Sequence, residues 1–423
     1  MADAVEDAAG AGASDRRSVI AWALYDWGNS AFATTVMAGF FPIFFKQYWS
    51  AGADPGESTL KLGLANSVAS IVVALSAPLL GAIADRAGGK KRFLGSFAAL
   101  GVVMTAGLYF VAKGDWATAV ALYVAATIGF SGSIVFYDSL MLSVASDEDS
   151  DRVSALGYGL GYLGGGILFA LNVAMTLKPA LFGLADAGVA VRVSFLLVAV
   201  WWAVFTVPLM LRVPEPRAGG IGVVGAVRTG AQQLAKTFRR IRTMPAVWMF
   251  LFAYWLYIDG VDTIVRMAVD YGLSLGFASS SLIVALLITQ FVGFPAAIVF
   301  GRVGERIGSK RGILIGIAVY IGVTVLGYFM DSVAEFYALA VIIGLVQGGV
   351  QALSRALYGR LIPKDEAAEF FGFYNMLGKF AAILGPALMG WVAWLTGSPR
   401  LSILSISVLF VAGGAMLMRV KVE

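Results

Sequence analysis

The strongest constraint on the fold is a pattern that occurs twice, 220 residues apart. The chain reads GAIADRAGGKK from position 81 and GRVGERIGSKR from position 301, and each copy joins one long apolar stretch to the next. Both fit Gly-x-x-x-acid-Arg-x-Gly-x-base-base. The equivalent residues are Gly81, Asp85, Arg86, Gly88, Lys90 and Lys91 in the first copy and Gly301, Glu305, Arg306, Gly308, Lys310 and Arg311 in the second. Such a repeat predicts two halves of similar fold.

Composition indicates a membrane protein. The 423 residues are 59% hydrophobic and 13% charged, whereas soluble domains carry about 25% charged residues. Apolar stretches of about 20 residues, each long enough to cross a bilayer as a helix, recur along nearly the whole chain. They predict twelve spans, numbered in chain order, at 18–45, 62–84, 93–112, 117–145, 153–177, 191–212, 245–268, 279–301, 312–330, 334–359, 367–395 and 400–418. We expect an all-α integral membrane protein with twelve transmembrane helices in two pseudo-symmetric six-helix bundles.

The distribution of positive charge predicts the topology. Most of the 31 Lys and Arg residues lie between spans on the side of the N-terminus, including both repeated loops. Because basic loops stay in the cytoplasm, we expect both termini to be cytoplasmic and the protein to reside in the cell inner (plasma) membrane. The net charge of +5 therefore reflects membrane topology and gives no reason to expect a nucleic-acid partner.

Hydrophobicity drops between the sixth and seventh spans, which suggests the domain boundaries. We predict a disordered cytoplasmic tail at 1–17, an N-terminal bundle at 18–212, a cytoplasmic linker at 213–244 and a C-terminal bundle at 245–423. The linker ends in the basic sequence AQQLAKTFRRIR. That segment is expected to form an amphipathic helix on the surface of the lipid bilayer.

Two residue types are missing and exclude several chemistries. The chain has no cysteine and no histidine, which excludes a disulfide framework, a thiolate nucleophile, a Cys/His metal site and a histidine relay. Proton coupling would have to use carboxylates. No nucleophile–base pair or phosphate-binding loop is recognisable, so we expect no enzyme activity, no cofactor and no metal.

The repeated loops resemble the loop between the second and third helices of each half in the major facilitator superfamily. Three further blocks, WALYDWGNSAFATTVMAGFFPIFF, SALGYGLGYLGGG and QGGVQALSRALYGRLIPKDEAAEFFGFYN, resemble the autophagy-related vacuolar amino-acid effluxers and their bacterial homologues. The resemblance implies a monomeric secondary transporter that exports a small-molecule substrate, neutral amino acids such as leucine, by alternating access, with a proton as candidate coupling ion. Export of another small solute and a non-transporting membrane scaffold or assembly factor remain alternatives.

The resemblance also implies a role for the repeated loops in gating. In the superfamily, the loop acid braces a helix of the opposite half and holds the outward-open state. We therefore expect Asp85 and Glu305 to make such contacts at the cytoplasmic ends of spans 2 and 8.

Polar residues within the spans are candidates for the substrate and ion site. A charge at the span centre costs about 2.5–3.5 kcal/mol, so most such charges should face a cavity or a partner. Asp26 and Asn29 in span 1 are three residues apart, as are Asp259 and Asp262 in span 7, so each pair shares a helical face. With Arg266 four residues further on, Asp262 forms either a structural salt bridge or an extracellular gate pair.

Spans 10 and 11 carry the remaining polar candidates of the second half. Gln347, Gln351 and Arg355 lie four residues apart on span 10 and form a polar stripe expected to face the interior. The two glutamines suit a zwitterion, whereas Arg355 either packs near the helix end or binds a ligand. In span 11, Lys379 follows Asn375 by one turn and either neutralises an acid across the cavity, with Asp26 favoured, or binds a substrate carboxylate.

Spans 4 and 5 complete the set of candidates. Tyr137 and Asp138 lie in span 4, and Asp138 joins Asp26 as a candidate proton carrier, because the buried acids outnumber the buried bases. Tyr158 and Tyr162 share a face of span 5 and either line the cavity or pack. Glycines at spacing four, Gly157, Gly161 and Gly165, favour close helix packing.

Overall fold

A computed structural model describes residues 15–51, 55–215 and 236–421, apart from some side chains within helices. These residues are almost entirely helical. The helical segments are α1 (Arg16–Trp49), α2 (Pro55–Ala87), α3 (Lys90–Phe110), α4 (Trp116–Ser143), α5 (Ser150–Leu177), α6 (Ala187–Arg212), α7 (Pro245–Ser274), α8 (Ser279–Ile307), α9 (Ser309–Phe329), α10 (Val333–Leu361), α11 (Ala367–Thr396) and α12 (Pro399–Arg419). The first half is α1–α6 and the second half is α7–α12.

Most of these helices can cross a membrane. Within the described ranges, ten are long and apolar enough to do so. The other two long helices contain shorter apolar stretches, Ile71–Asp85 in α2 and Leu384–Thr396 in α11. The prediction of an all-α integral membrane fold is confirmed, and the count of twelve spanning helices stays a prediction.

Local sequence signals determine where the helices begin and turn. The Asp15 carboxylate caps α1 by accepting hydrogen bonds from the backbone N–H groups of Arg17 and Ser18, at 3.2 and 3.1 Å. Gly88 and Gly308, which are equivalent in the repeat, have φ angles of 71° and 87°. Only glycine adopts this backbone region without strain, so the repeated glycine permits a sharp turn into the next helix in both halves.

The two halves meet along equivalent helices. The helix α2 packs against α11, and α5 packs against both α8 and α10. All connections relevant to the site lie at one end of the molecule, where the α2–α3, α4–α5, α8–α9 and α10–α11 turns are found. We call this the loop end.

Two segments depart from a regular helix or lie partly outside the description. The helix α1 is π-helical over Phe32–Phe40 and Phe45–Trp49. The predicted amphipathic helix of the linker falls partly outside the described residues, and its described part, 236–243, is helical. Thr237 and Ile241, four residues apart, are buried there, which gives this short helix one buried face.

Candidate functional site

An ion pair between the halves lies at the centre of the candidate site. Arg355 on α10 donates from Nη1 to Oδ1 of Asp138 on α4 at 3.1 Å, and the two side chains are 2% and 5% exposed. At 1.5 Å per residue, both positions lie about 8–9 Å from the loop ends of their helices. The pair therefore joins the halves inside the protein rather than at its surface.

The guanidinium of Arg355 makes further contacts with the first half. Its Nε donates to Ser154 Oγ and its Nη2 to the Ser154 backbone oxygen, both at 2.9 Å. The guanidinium carbon lies 4.9 Å from the ring centre of Trp22, 5.3 Å from that of Tyr137 and 4.3 Å from that of Tyr158. These are distances at which a cation is attracted to an aromatic ring.

Asp138 has a second partner from the second half. Asn375 on α11 donates from Nδ2 to Asp138 Oδ2 at 3.0 Å. Both carboxylate oxygens of Asp138 thus accept hydrogen bonds from across the interface, which makes it a fixed partner of Arg355 and weakens its case as a proton carrier.

Asp26 lies nearer the middle of the molecule, about 15 Å along α1 from its first residue. Its Oδ1 accepts from Ser30 Oγ at 3.0 Å, and its Oδ2 from the Tyr137 hydroxyl at 3.5 Å. A Cβ at Gly161 would come within 2.9 Å of Asp26 Oδ1. The glycines of α5 therefore make room for polar groups as well as for helix packing.

A further contact between the halves lies at the same depth. The Tyr162 hydroxyl on α5 donates to Gln351 Oε1 on α10 at 3.3 Å. The polar stripe predicted on α10 is split: Gln351 and Arg355 face the first half, whereas Gln347 lines an apolar cavity among α7, α8, α9 and α10.

Two predicted ion pairs involve side chains outside the described part of the chain. The side chains of Lys379, Arg266 and Arg86 lie outside the described residues. The Asp26–Lys379 and Asp262–Arg266 pairs therefore stay predictions. Of the remaining candidates, Asn29 on α1 is buried and Asp262 on α7 is half-buried.

Asp259 is held within the second half. Its two carboxylate oxygens accept hydrogen bonds from the backbone N–H groups of Leu384 and Gly385 on α11, at 3.1 and 2.9 Å. Thr263 Oγ1 also donates to it at 3.2 Å. These contacts occur just before Pro386, and they give Asp259 a structural role that the sequence did not predict. Its predicted substrate role stays a prediction.

At the loop end, the first copy of the repeat contacts the opposite half. Asp85 accepts hydrogen bonds from the backbone N–H groups of Ala368 and Glu369, at 3.2 and 2.8 Å, in the first turn of α11. Lys90 lies 2.7 Å from the same carboxylate. An acid at a helix N-terminus satisfies free N–H groups and complements the helix dipole. The contact expected for Asp85 is present, and its role in gating stays a prediction.

The second copy makes a different contact. Glu305 is 31% exposed and lies 3.9 Å from Arg152 of α5. The stronger interaction nearby comes from Asp151, also on α5, which accepts hydrogen bonds from Ser309 Oγ at 2.7 and 2.8 Å and from Arg360 Nη2 at 3.2 Å.

One lysine in each copy of the repeat binds the end of a neighbouring helix. Lys91 Nζ donates to the Val213 oxygen at 2.9 Å, just after α6. Lys310 Nζ donates to the Met418 and Val420 oxygens, at 2.8 and 2.7 Å, at the end of α12. Arg306 and Arg311 are exposed. Lys91 and Lys310 thus have structural partners, and the effect of the loop bases on topology stays a prediction.

The sequence prediction missed two residues that contact the Arg355 guanidinium, Trp22 and Ser154. Trp22 lies one turn before Asp26, stacks on Tyr137 with ring centres 4.4 Å apart, and donates from Nε1 to the Tyr137 oxygen at 2.9 Å. An aromatic residue one turn from a buried acid was an available signal. The sequence around Ser154 contained no comparable signal, because a single serine in a helix does not indicate a contact.

Comparison with solved structures identifies the fold. The human organic anion transporter MFSD10 (TETRAN) superposes with a TM-score of 0.74 at 17% identity, covering 95% of this chain and 99% of that one. The major facilitator superfamily transporter FucP in its outward conformation gives 0.71 at 11% identity, covering 96% and 100%. The proton:xylose symporter XylE gives 0.69 at 13% identity, covering 96% and 94%.

Comparison with known sequences identifies the family. The uncharacterized MFS-type transporter YxiO of Bacillus subtilis (strain 168) is 40% identical over 95% of this chain and 94% of its own length. Autophagy-related protein 22 of Cryptococcus neoformans var. neoformans serotype D is 29% identical over 65% of this chain, and the match spans about half, 53%, of that protein. The model of the family "Vacuole effluxer Atg22 like" matches residues 62–148 and 143–423. The chain is therefore a membrane transporter of the major facilitator superfamily and belongs to the Atg22-like vacuole effluxer family.

Proposed function

We propose that the protein exports neutral amino acids by alternating access and that export is driven by protons. The observation that carries the proposal is the buried cluster of Asp138, Arg355 and Asn375, whose members come from both halves. Buried ionisable groups are costly in a membrane and mark substrate and ion pathways. A pair that bridges the halves must break whenever they separate at the loop end.

The loop end is proposed to face the cytoplasm of a cell whose plasma membrane holds the protein. Its α2–α11 and α5–α8 contacts are then those of a transporter closed on the cytoplasmic side. The bundles at 18–212 and 245–423 would rock against each other while the linker at 213–244 keeps them together. One chain supplies both halves, so a monomer would suffice.

Asp26 is proposed as the proton carrier. Its described hydrogen-bond partners are the hydroxyl groups of Ser30 and Tyr137, whereas Asp138 is engaged by a guanidinium and an amide from the other half. A hydroxyl can donate to a carboxylate or accept from a protonated one. Asp26 can therefore change its protonation state without losing either partner.

Competition between two positive charges would couple the proton to the substrate. Asp26 and Asp138 are linked through Tyr137, which precedes Asp138 on α4 and whose hydroxyl binds Asp26. A substrate ammonium group that binds near these acids disfavours a proton there, and a proton disfavours the ammonium group by the same free energy. Mutually exclusive binding produces exchange, so an inward proton gradient would drive amino-acid export.

Reconstituted proteoliposomes test the proposal. The vesicles are loaded with labelled leucine, and efflux is followed with and without a pH gradient. We expect the gradient to accelerate efflux by the wild-type protein. The Asp26→Asn variant should still exchange leucine for leucine, which needs no proton, but its efflux should no longer respond to the gradient.

Asp365→Asn is the matched control, because it removes an exposed acid in the α10–α11 connection. It should behave like the wild type. If vesicles that contain the wild-type protein release no neutral amino acid faster than protein-free liposomes do, the proposed substrate class is wrong. A full response to the pH gradient in Asp26→Asn would exclude this residue as the carrier.

A further inference from the structure

Among the described residues, the hydrogen-bond acceptors and rings that contact the Arg355 guanidinium belong to the first half. Trp22 comes from α1, Tyr137 and Asp138 from α4, and Ser154 and Tyr158 from α5, and we call these five residues the cage. The cation that fills the cage comes from the second half. The first half thus contains a complete set of ligands for a cation that it does not itself supply.

The cage is built for positive charge. Three ring centres lie 4.3–5.3 Å from the guanidinium carbon, and that of Tyr158 is the nearest. The Asp138 carboxylate and the Ser154 backbone oxygen accept hydrogen bonds from the guanidinium. The carboxylate presents negative charge to the centre, and the backbone oxygen presents negative potential. The stacked pair of Trp22 and Tyr137 and the nearer ring of Tyr158 complete an aromatic wall within reach of a cation. An anion placed there would be repelled by the Asp138 carboxylate and the Ser154 backbone oxygen.

Room for the cation depends on a glycine. A Cβ added at Gly157 would come within 2.7 Å of the Tyr137 hydroxyl, 2.9 Å of the Trp22 ring and 3.1 Å of Arg355 Nη2. Two of these atoms belong to the cage and the third to the cation, so a side chain at Gly157 would have to displace one or the other. The absence of a side chain at this position is therefore a condition for the cation to approach α5.

We infer that the cage is a binding site for a primary ammonium or guanidinium cation, which Arg355 fills while the loop end is closed and a substrate ammonium group fills when the halves part. The inference rests on the proposed alternating access. Separation of the halves withdraws both Arg355 and Asn375 from Asp138. Removing the partner of a buried charge is strongly unfavourable, and a cation from solution restores the balance.

Binding to purified protein tests the inference. The chain has no cysteine, so spin labels can be attached through Arg92→Cys and Arg311→Cys, two exposed positions at the loop end of opposite halves. We expect isoamylammonium and methylguanidinium to increase the population with a long label distance. Isocaproate, which carries a carboxylate on a similar apolar chain, should not. An equal response to isocaproate, or none to either cation, overturns the inference.

Two variants at one position isolate the aromatic contribution. Tyr158→Leu removes the ring nearest the guanidinium and should weaken isoamylammonium binding by about 2- to 30-fold, the range for one cation–ring contact. Tyr158→Phe is the matched control, because it retains the ring, and it should bind like the wild type. Equal affinities in Tyr158→Leu and Tyr158→Phe contradict a cation cage.

Chemical rescue of a variant without the Arg355 side chain provides a test that does not depend on opening of the loop end. In Arg355→Ala the cage is empty, so methylguanidinium should raise the melting temperature of the variant. The rise should disappear in Arg355→Ala, Gly157→Ala, where a methyl group occupies the space. Without a rise in the single variant, or with the same rise in the double variant, the inference fails. Intact cation binding without leucine flux would instead refute only the proposed substrate and leave the cage in place.

Discussion

The two copies of the repeat begin with the same glycine and end in different contacts. Added Cβ atoms would meet the opposite half at both glycines: at Gly81, 2.2 Å from the Ala368 oxygen, and at Gly301, 2.5 Å from the Ala155 Cβ. The acids four residues later diverge. Asp85 is 5% exposed and binds two backbone N–H groups, whereas Glu305 is 31% exposed and lies 3.9 Å from Arg152.

The difference has a local cause. In the second copy, the Asp151 carboxylate already lies at the α5 terminus, 3.1 Å from where a Cβ of Gly304 would be. A second acid at that place would meet like charge, and glutamate is one methylene longer than aspartate. The repeated motif therefore specifies how closely the helices approach, and the neighbouring sequence specifies which acid bridges the halves.

The largest expected effect separates the two glycines. Gly81→Ala places a methyl group against backbone atoms of α11, which cannot turn aside, so the loop end should no longer close. Gly301→Ala meets the Ala155 methyl group, which is also fixed on its backbone but lies 2.5 Å rather than 2.2 Å away, so it should cost less. Overpacking costs about 1–3 kcal/mol, and we expect Gly81→Ala at or above the upper limit. Distances between spin labels at positions 92 and 311 measure how far each variant opens the loop end. Equal shifts in the two variants would show that the two glycines contribute equally.

The second effect concerns the buried acid. Asp85→Asn removes the charge that binds the first turn of α11 and should destabilise the closed loop end by about 1.5–3 kcal/mol, the range for hydrogen bonds to a charged group. The ratio of open to closed protein should rise by about 10- to 160-fold. The same label pair reports the shift. An unchanged distance distribution would reduce the first copy to a topology signal.

A third, smaller effect should appear in the side-chain network of the second copy. Arg360→Gln removes the guanidinium that binds Asp151 and should open the loop end by about 0.5–1.5 kcal/mol, because Arg360 is partly exposed. Asp151→Asn should have a similar effect. The double variant should cost less than the sum, which a double-mutant cycle on the open population measures. Simple additivity would mean that the two residues act independently.

Glu305→Gln should have the smallest effect, within about 0.5 kcal/mol, because its ion pair is long and solvent-exposed. This variant also serves as the control for Asp85→Asn, since it changes the equivalent residue in the same chemical way. If it opened the loop end as much as Asp85→Asn does, the asymmetry described above would have no functional meaning.

The general architecture could be predicted from the sequence because periodic signals encode it. Apolar stretches indicated the membrane helices, and the repeat indicated two halves. The motif glycines were informative because Gly88 and Gly308 adopt a backbone conformation that other residues avoid. The contact of Asp85 with the opposite half was implied by the resemblance to the major facilitator superfamily, and it is present.

The pairing of the buried charges could not be predicted. Arg355 and Asp138 are 217 residues apart, and a rotation of either helix by one residue, about 100°, would separate them. The sequence favoured a pair between Asp26 and Lys379, which stays a prediction because the Lys379 side chain lies outside the described residues. Charge balance identifies which residues need partners, but only the packed helices determine which partner each one has.

The contact of Asp259 with α11 has a consequence for exchange with solvent. Proline lacks an N–H group, so the helix near Pro386 would ordinarily be a place where backbone amides open and exchange readily. The Leu384 and Gly385 amides instead donate to a buried carboxylate on α7. Their deuterium uptake should therefore be slow and should accelerate in Asp259→Asn. Helices α7 and α11 would then behave as one cooperative unit, and the slow protein motion would be confined to the boundary between the halves.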